Sequence, residues 1–297
     1  MNNFLPSANV YYWGNKMHVK HVSQVKRRAS LMFSLILFFF ISPLAVAAPD
    51  KTPLEFWAPF DENNTAAVDH SLWQTLLAEY LDDKHPSSIN RFNYAGVKPE
   101  DRKLLTRYLQ QMQQLDPRIY SRAEQKAYWI NLYNALTVEL ILKNYPVKSI
   151  TKLGEGFFSF GPWDDKVANI KDQKLSLNNI EHGILRAYFN DNRIHYAVNC
   201  ASISCPNLSA NAYTSENTNQ LLDQGARQYI NHPRGVNFEE GILKVSSIYH
   251  WYKGDFGGND KSLIAELIKY AKPALANKLR NYIGDIDHDY DWALNQP

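Results

Sequence analysis

The densest run of chemically capable residues is Arg193-Ile194-His195-Tyr196-Ala197-Val198-Asn199-Cys200-Ala201-Ser202-Ile203-Ser204-Cys205-Pro206, which contains both cysteines of the chain. Residues 194–198 read as a strand, which sets His195, Ala197 and Asn199 on one face and Tyr196, Val198 and Cys200 on the other. His195 then meets Cys200 only if the chain turns after Val198 or Asn199, and the small residues at 201–204 permit such a turn. Pro206 suits the start of a helix. That start would put Cys205 at a helix N-terminus, where free amides and the macrodipole stabilise a thiolate. Cys200 and Cys205 are therefore both candidate nucleophiles, with His195 as base. Other readings of the pair stay open: a disulfide closing a short loop, two plain buried thiols, or a metal site with His182 and His195. That spacing fits no common zinc pattern, so no metal is expected. Ser202 and Ser204 lack the Gly-x-Ser-x-Gly elbow of a serine nucleophile.

Two further groups belong with this run. Residues 178–189 have a helical apolar pattern. At about 100° per residue, Glu181 falls inside the stripe of Ile180, Ile184, Leu185 and Tyr188, with His182 at its edge. Glu181 sits three residues after Asn178 and can be a capping partner. Pointed inward, it is a carboxylate whose pKa burial would raise, a candidate general acid or base. The second group is Asn131 and Asn134, which share one stripe of a helix that is apolar nearly all round from Tyr128 to Leu142. A buried amide without partners costs on the order of 2–7 kcal/mol. These amides must therefore tie loop backbone in place or line a polar site.

The elements that position these groups follow from composition and pattern. The chain has 297 residues, 45% hydrophobic and 21% charged. That balance excludes disordered and fibrous classes, and two cysteines exclude a multi-disulfide scaffold or a four-cysteine zinc site. Lys26-Arg27-Arg28 precedes an apolar run over 31–46, broken by Ser34, Ser42 and Pro43 and ending in Ala45-Val46-Ala47-Ala48-Pro49. This is a signal-peptide pattern, too short and interrupted for a membrane anchor. Cleavage is expected after Ala47 or one residue later, with Met17 the more ordinary start, leaving a single domain over 48–297 in the periplasm or outside the cell. The leader 1–47 holds five basic residues and no acid, so 27 basic residues face 30 acidic ones in the remainder. Such a charge balance has no footprint for nucleic acid. No membrane contact is expected once the leader is cleaved.

Helices are expected over 69–83, 99–115, 121–144, 178–189, 217–231, 260–271 and 273–282. Pro99 suits a first helical position, and Ser121 with Glu124 reads as a capping box. Hairpins are expected at 167–170 with 174–177 and at 236–245 around Glu239-Glu240-Gly241. The fold class is α+β, a mainly helical single domain with a small antiparallel sheet of hairpins. Between Gly154 and Trp163 lies an aromatic loop carrying Phe157-Phe158-Ser159-Phe160, a candidate lid or contact surface.

Four ordered motifs resemble the domain of unknown function 547 family. They are Trp129-Ile130-Asn131-Leu132-Tyr133-Asn134-Ala135-Leu136-Thr137, Ser176-Leu177-Asn178-Asn179-Ile180-Glu181-His182-Gly183-Ile184-Leu185-Arg186, His195 through Pro206, and the closing Tyr290-Asp291-Trp292-Ala293-Leu294-Asn295. The resemblance covers about 90–235 plus the tail and brings no established reaction. Bacterial relatives are commonly exported, in keeping with the leader. Plant relatives join this domain to a leucine-zipper-like region, which implies an interaction role and weighs against a purely structural disulfide.

Two functions are compatible with this sequence. The first is a thiol-dependent hydrolase or acyltransferase. In it His195 is the base, Cys200 or Cys205 the nucleophile, Glu181 the orienting or proton-donating group, and Asn131 and Asn134 the oxyanion or substrate donors. His182, Asn199 and Trp163 complete the binding side, and no cofactor is called for. The second is a non-catalytic domain holding a small molecule, a peptide or another protein, with a Cys200–Cys205 disulfide as a structural link.

Overall fold

Three helices in succession make the first layer of the computed structural model, which describes residues 50–154 and 161–297. The expected leader 1–47 and Phe157-Phe158-Ser159-Phe160 lie outside the described residues. Helix α1 (Ser71–Tyr80) buries Trp73, Leu76, Leu77 and Tyr80. The short pair β1 (Leu81–Asp82) and β2 (Arg91–Phe92) leads to α2 (Pro99–Gln114), which opens with Pro99 and turns Leu105, Tyr108, Leu109 and Met112 inward. Helix α3 (Arg122–Asn144) is the axis of the layer, buried without a break from Ala127 through Val138. The Ser121 hydroxyl accepts from Glu124 N–H, but Glu124 does not close the capping box. Its carboxylate accepts from Val68 N–H at 2.8 Å, because the segment before α1 crosses the helix start there.

The hairpins form where their turns allow. Strands β3 (Ala168–Ile170) and β4 (Gln173–Leu175) are joined by Lys171-Asp172, both at positive φ, 48° and 63°. Strands β5 (Val236–Glu239) and β6 (Ile242–Ser246) are joined by Glu240-Gly241, at 51° and 86°. Two successive positive-φ residues match the right-handed twist of the flanking strands, which ordinary turns would splay. A strand the pattern did not announce, β7 (Ile286–Asp289), adds to β6 in parallel.

The segment 178–189 is not one α-helix. Residues Asn179–Leu185 form a π-helix, closed by Arg186 N–H on Glu181 O, and only Arg186–Phe189 (α4) is α-helical. A turn wider than 3.6 residues breaks the regular phase, and Ile180 through Leu185 are all buried. The N-terminal segment lies against this turn: Leu54 N–H donates to Gly183 O at 3.0 Å, and a Cβ on Gly183 would stand 2.7 Å from Leu54 Cγ.

The expected strand at 194–198 is instead a 3-10 turn, Asn192–Tyr196. Asp191 starts it by accepting from Arg193 N–H at 3.0 Å, and Lys126 and Arg193 pair with the same carboxylate. The helix expected at Pro206 is also absent: 206–209 is irregular. Beyond it come α5 (Thr218–Ile230), the sheet β5–β6–β7, α6 (Ser247–Trp251), α7 (Asp260–Tyr270) and α8 (Pro273–Arg280). The molecule is thus mainly helical α+β. Among the described residues no helix is long and apolar enough to cross a membrane.

Two apolar clusters result. The larger gathers α1–α3, the π-helix and the start of α5, and the smaller gathers the end of α5, the sheet, α6, α7 and α8. Each fully buried Leu, Ile or Phe in them contributes about 1.5–3 kcal/mol. Ile194, Ala197 and Val198 belong to the larger cluster and Tyr196 to the smaller, so the run containing His195 and the cysteines forms the seam between them.

Candidate functional site

Three buried asparagines shape the seam. Asn134 donates to Ala197 O at 2.9 Å and accepts from Asn199 N–H at 2.8 Å. Asn199 donates to Pro206 O at 2.7 Å and accepts from Ala201 N–H at 2.8 Å. Asn131 makes the same two-ended clamp on the backbone of Tyr213, at 2.7 and 2.9 Å. The C-terminal tail holds the outer side of the loop: Asn295 N–H donates to Ala201 O, Ile203 N–H to Ala293 O and Ser204 N–H to Asp291 O. Ala201 turns the chain at φ 60°. These bonds satisfy backbone groups that burial would otherwise leave unpaired, each worth about 1–3 kcal/mol.

The loop so held brings the sulfurs together. Cys200 Sγ lies 3.0 Å from Cys205 Sγ, and both are free thiols. Cys200 Sγ is also 3.2 Å from the Ser202 hydroxyl and 3.2 Å from the Tyr290 hydroxyl, which accepts from Ser202 Oγ–H at 3.0 Å. Cys200 N–H donates to Cys205 Sγ at 2.9 Å. Burial pushes the Cys200 thiol up, but hydrogen bonds from Cys205, Ser202 and Tyr290 outweigh it and hold the group below the usual thiol value. Cys205 is pushed well above that value by burial and by its bond to Cys200. The sequence expectation of a Cys205 thiolate at a helix N-terminus is thereby corrected, since no helix begins there. Tyr290 is raised by burial and by the two sulfurs, so it remains a proton donor.

A second cluster surrounds His195. Its Nε2 donates to Asp255 Oδ2 at 2.7 Å, and its ring stacks on Tyr252 with centroids 4.0 Å apart. Among the described residues its Nδ1 has no hydrogen-bond partner, and it stands 3.8 Å from Glu181 Oε1. Asp255 also receives Arg186 Nε at 2.7 Å and Lys51 Nζ at 2.7 Å. Burial raises Asp255, yet the donors His195, Arg186 and Lys51 bring it far below the ordinary carboxylate range. Arg186 Nη1 lies 3.1 Å from His182 Nδ1. A guanidinium can only donate, so His182 accepts there and carries its proton on Nε2. Burial pushes His182 below the usual histidine value despite the nearby Glu181. Glu181 itself departs from the sequence expectation of a raised carboxyl. Burial does act upward on it, but His182, His195 and the Tyr252 hydroxyl bring it below its ordinary value.

The two clusters are neighbours. Among the described residues neither His182 nor His195 reaches a sulfur within hydrogen-bond distance. Tyr133 and Tyr252 stand within electrostatic reach of both Glu181 and Cys200. Trp163 meets Trp292 edge to face at 5.6 Å, and Trp292 packs on Tyr290 at 4.5 Å, so an aromatic row ends at the thiols. On the far side Lys51, Arg186, Asp255, Arg193, Glu266 and Lys269 border a cavity of about 690 Å³. Among the described residues no group of three or more His, Cys, Asp or Glu side chains is arranged to hold a metal ion.

Sequence reasoning missed Asp255, Lys51 and Tyr252, and saw Arg186 and Tyr290 only as parts of the family motifs. The one available signal was the stretch Tyr252-Lys253-Gly254-Asp255-Phe256-Gly257-Gly258, an acid set among aromatics and glycines. Nothing local in it names His195 as partner.

Fold and site together define a mainly helical α+β protein with paired thiols in a buried loop beside a histidine hydrogen-bonded to a buried aspartate. Residues 117–230 match the family described as protein of unknown function, DUF547, so this part of the chain is similar to that family. The match runs from the turn before α3 to the end of α5. It takes in Glu181, His182, His195 and both cysteines, while Tyr252, Asp255 and Tyr290 lie beyond it. No curated protein and no solved structure matches the chain.

Proposed function

We propose that this protein is a thiol-dependent acyl-transfer enzyme, a hydrolase or acyltransferase, with Cys200 as its nucleophile. The observation that carries this reading is that Cys200 Sγ has three polar neighbours within 3.2 Å, of which the Cys205 thiol and the Tyr290 hydroxyl are placed to donate to it while the Ser202 hydroxyl donates to Tyr290. Donors at that distance stabilise a thiolate, so the nucleophile forms without a histidine touching it. The thiolate attacks an acyl carbon, a thioester forms as the leaving group departs, and water or a second acceptor takes the acyl group. The Ser202 and Tyr290 hydroxyls are the nearest proton sources for the leaving group. Asn134 and Asn199 act by holding the loop, and Asn131 by holding Tyr213, rather than as oxyanion donors. His195 and Glu181 support the site from behind Tyr252, whose ring lies on His195 and whose hydroxyl bonds Glu181. The leader 1–47 supports export, and the mature chain 48–297 works in the periplasm or outside the cell.

The test is a short exposure of the purified protein to p-nitrophenyl acetate, read as ester turnover and as acyl mass on the protein. Wild type gains one acetyl group on Cys200, and Cys200→Ala loses turnover to background with its fold intact by circular dichroism. Equal turnover in Cys200→Ala would sink the proposal. A second reading, ligand binding without chemistry, is favoured by the charged cavity of about 690 Å³ beside Asp255. Its occupant would be a small ionic molecule, detected as a shift in unfolding temperature with a panel of carboxylates and phosphates.

A further inference from the structure

The two sulfurs differ in every respect that matters to thiol–disulfide exchange. Cys200 is half-buried and Cys205 buried, so a reagent from solvent reaches Cys200 first. Both hydroxyls of the cluster lie 3.2 Å from Cys200 Sγ, whereas Cys205 Sγ accepts the Cys200 backbone N–H at 2.9 Å. The sulfurs are 3.0 Å apart, about 1 Å beyond a covalent S–S bond. The loop backbone is pinned by Asn134, Asn199 and the tail, so side-chain rotation must close that gap.

We infer that Cys200 and Cys205 are the attacking and resolving thiols of a reversible redox pair that reacts with disulfides of small molecules or proteins. The inference does not depend on the acyl-transfer reading. In the first step the Cys200 thiolate attacks one sulfur of R–S–S–R′. A Cys200–S–S–R bond forms, the substrate S–S bond breaks, and R′–S⁻ leaves. In the second step Cys205 loses its proton to solvent and attacks Cys200 Sγ. The Cys200–Cys205 bond forms and R–S⁻ leaves. Two electrons have passed from the dithiol to the disulfide, and an external dithiol reverses the sequence.

The order of the steps follows from the electrostatics. Cys205 resists ionisation through burial, its bond to Cys200 and the charge on that sulfur. The first step removes the charge and the bond, so Cys205 becomes the better nucleophile once a mixed disulfide exists. Oxidation would also consume the proposed acyl nucleophile and so switch that chemistry off.

The experiment challenges the reduced, desalted protein with oxidised glutathione at neutral pH, quenches with iodoacetamide, and reads intact mass. Wild type is expected to lose both free thiols together and carry no glutathione, and dithiothreitol should restore both without denaturant. Cys205→Ser and Cys205→Ala are each expected to accumulate one glutathione on Cys200. Cys200→Ser should react at least about ten-fold more slowly than wild type. Circular dichroism confirms the fold of each variant. A stable glutathione adduct on wild type, equal reaction of Cys200→Ser, or an oxidised pair that native dithiothreitol cannot reduce would each overturn the inference. None of these readouts uses ester turnover, so failure of acyl transfer and failure of exchange are told apart.

Discussion

Removing the Asp255 carboxylate should cost more stability than any other single charge deletion near the site. The side chain is 6% exposed and accepts from His195, Arg186 and Lys51, each at 2.7 Å. In Asp255→Ala the Arg186 side chain, 7% exposed, keeps its charge and loses this counter-ion. Breaking a buried pair in that way costs about 3–5 kcal/mol. Lys51 is 37% exposed, so its share is screened and adds at most about 1 kcal/mol. His195 loses the partner at Nε2 and, with Nδ1 already unpaired, has no hydrogen bond at either nitrogen among the described residues. For a domain of this size the total corresponds to a fall in Tm on the order of 10 °C.

The acid dependence of this loss follows from linkage. The folded carboxyl is depressed below its unfolded value. Its contribution is therefore complete above the unfolded value, near pH 4, and fades as pH falls towards the folded one. Urea unfolding at pH 7 and at several acid pH values reads both effects. The gap between wild type and Asp255→Ala should be widest at pH 7 and narrow below about pH 4. The double variant Arg186→Met/Asp255→Leu should lose less than the sum of its parts, by about 0.5–3 kcal/mol. A gap under about 1 kcal/mol at pH 7, or one that widens in acid, would refute the account of Asp255 as the buried counter-ion.

Other outcomes follow from the same geometry. Asn134→Ala leaves Ala197 O and Asn199 N–H unpaired in the interior, and chemical denaturation should show a loss of about 2–4 kcal/mol. His70 is buried and bonded to Tyr108 at 2.7 Å, and burial lowers it to about 4. Its neutral form is favoured by folding, so stability should fall by about 3 kcal/mol as pH drops from 6.5 to 4, and His70→Gln should flatten that limb. Alkylation of wild type by iodoacetamide, followed against pH, should show a midpoint below the ordinary thiol value, moving up in Tyr290→Phe. An unchanged midpoint in that variant would count against the Tyr290 hydroxyl as a donor to Cys200.

Apolar periodicity, Pro99, Ser121 and the turn at Glu240-Gly241 make most of the helices and both hairpins legible from the residues, since those signals act within a few positions of one another. The buried amides were legible in the same way: Asn131 and Asn134 on an otherwise apolar helix demanded polar partners, although not which ones. Local periodicity failed where a long-range contact set the backbone. Residues 179–185 widen into a π-helix where Leu54 packs on Gly183, and 192–196 coils because Asp191, Lys126 and Arg193 bind one another.

On its own the sequence determined the mainly helical class, the hairpins, the family resemblance and the short list Glu181, His182, His195, Cys200 and Cys205. Only the tertiary structure decided who touches whom. Asp255 reaches His195 across 60 residues and Tyr290 reaches Cys200 across 90, while neither histidine reaches a sulfur among the described residues. The physical reason is that burial and backbone propensity act locally and are written in residue type. The partner of a buried charge or thiol is chosen by how two apolar clusters close on the seam between them, which no local pattern encodes.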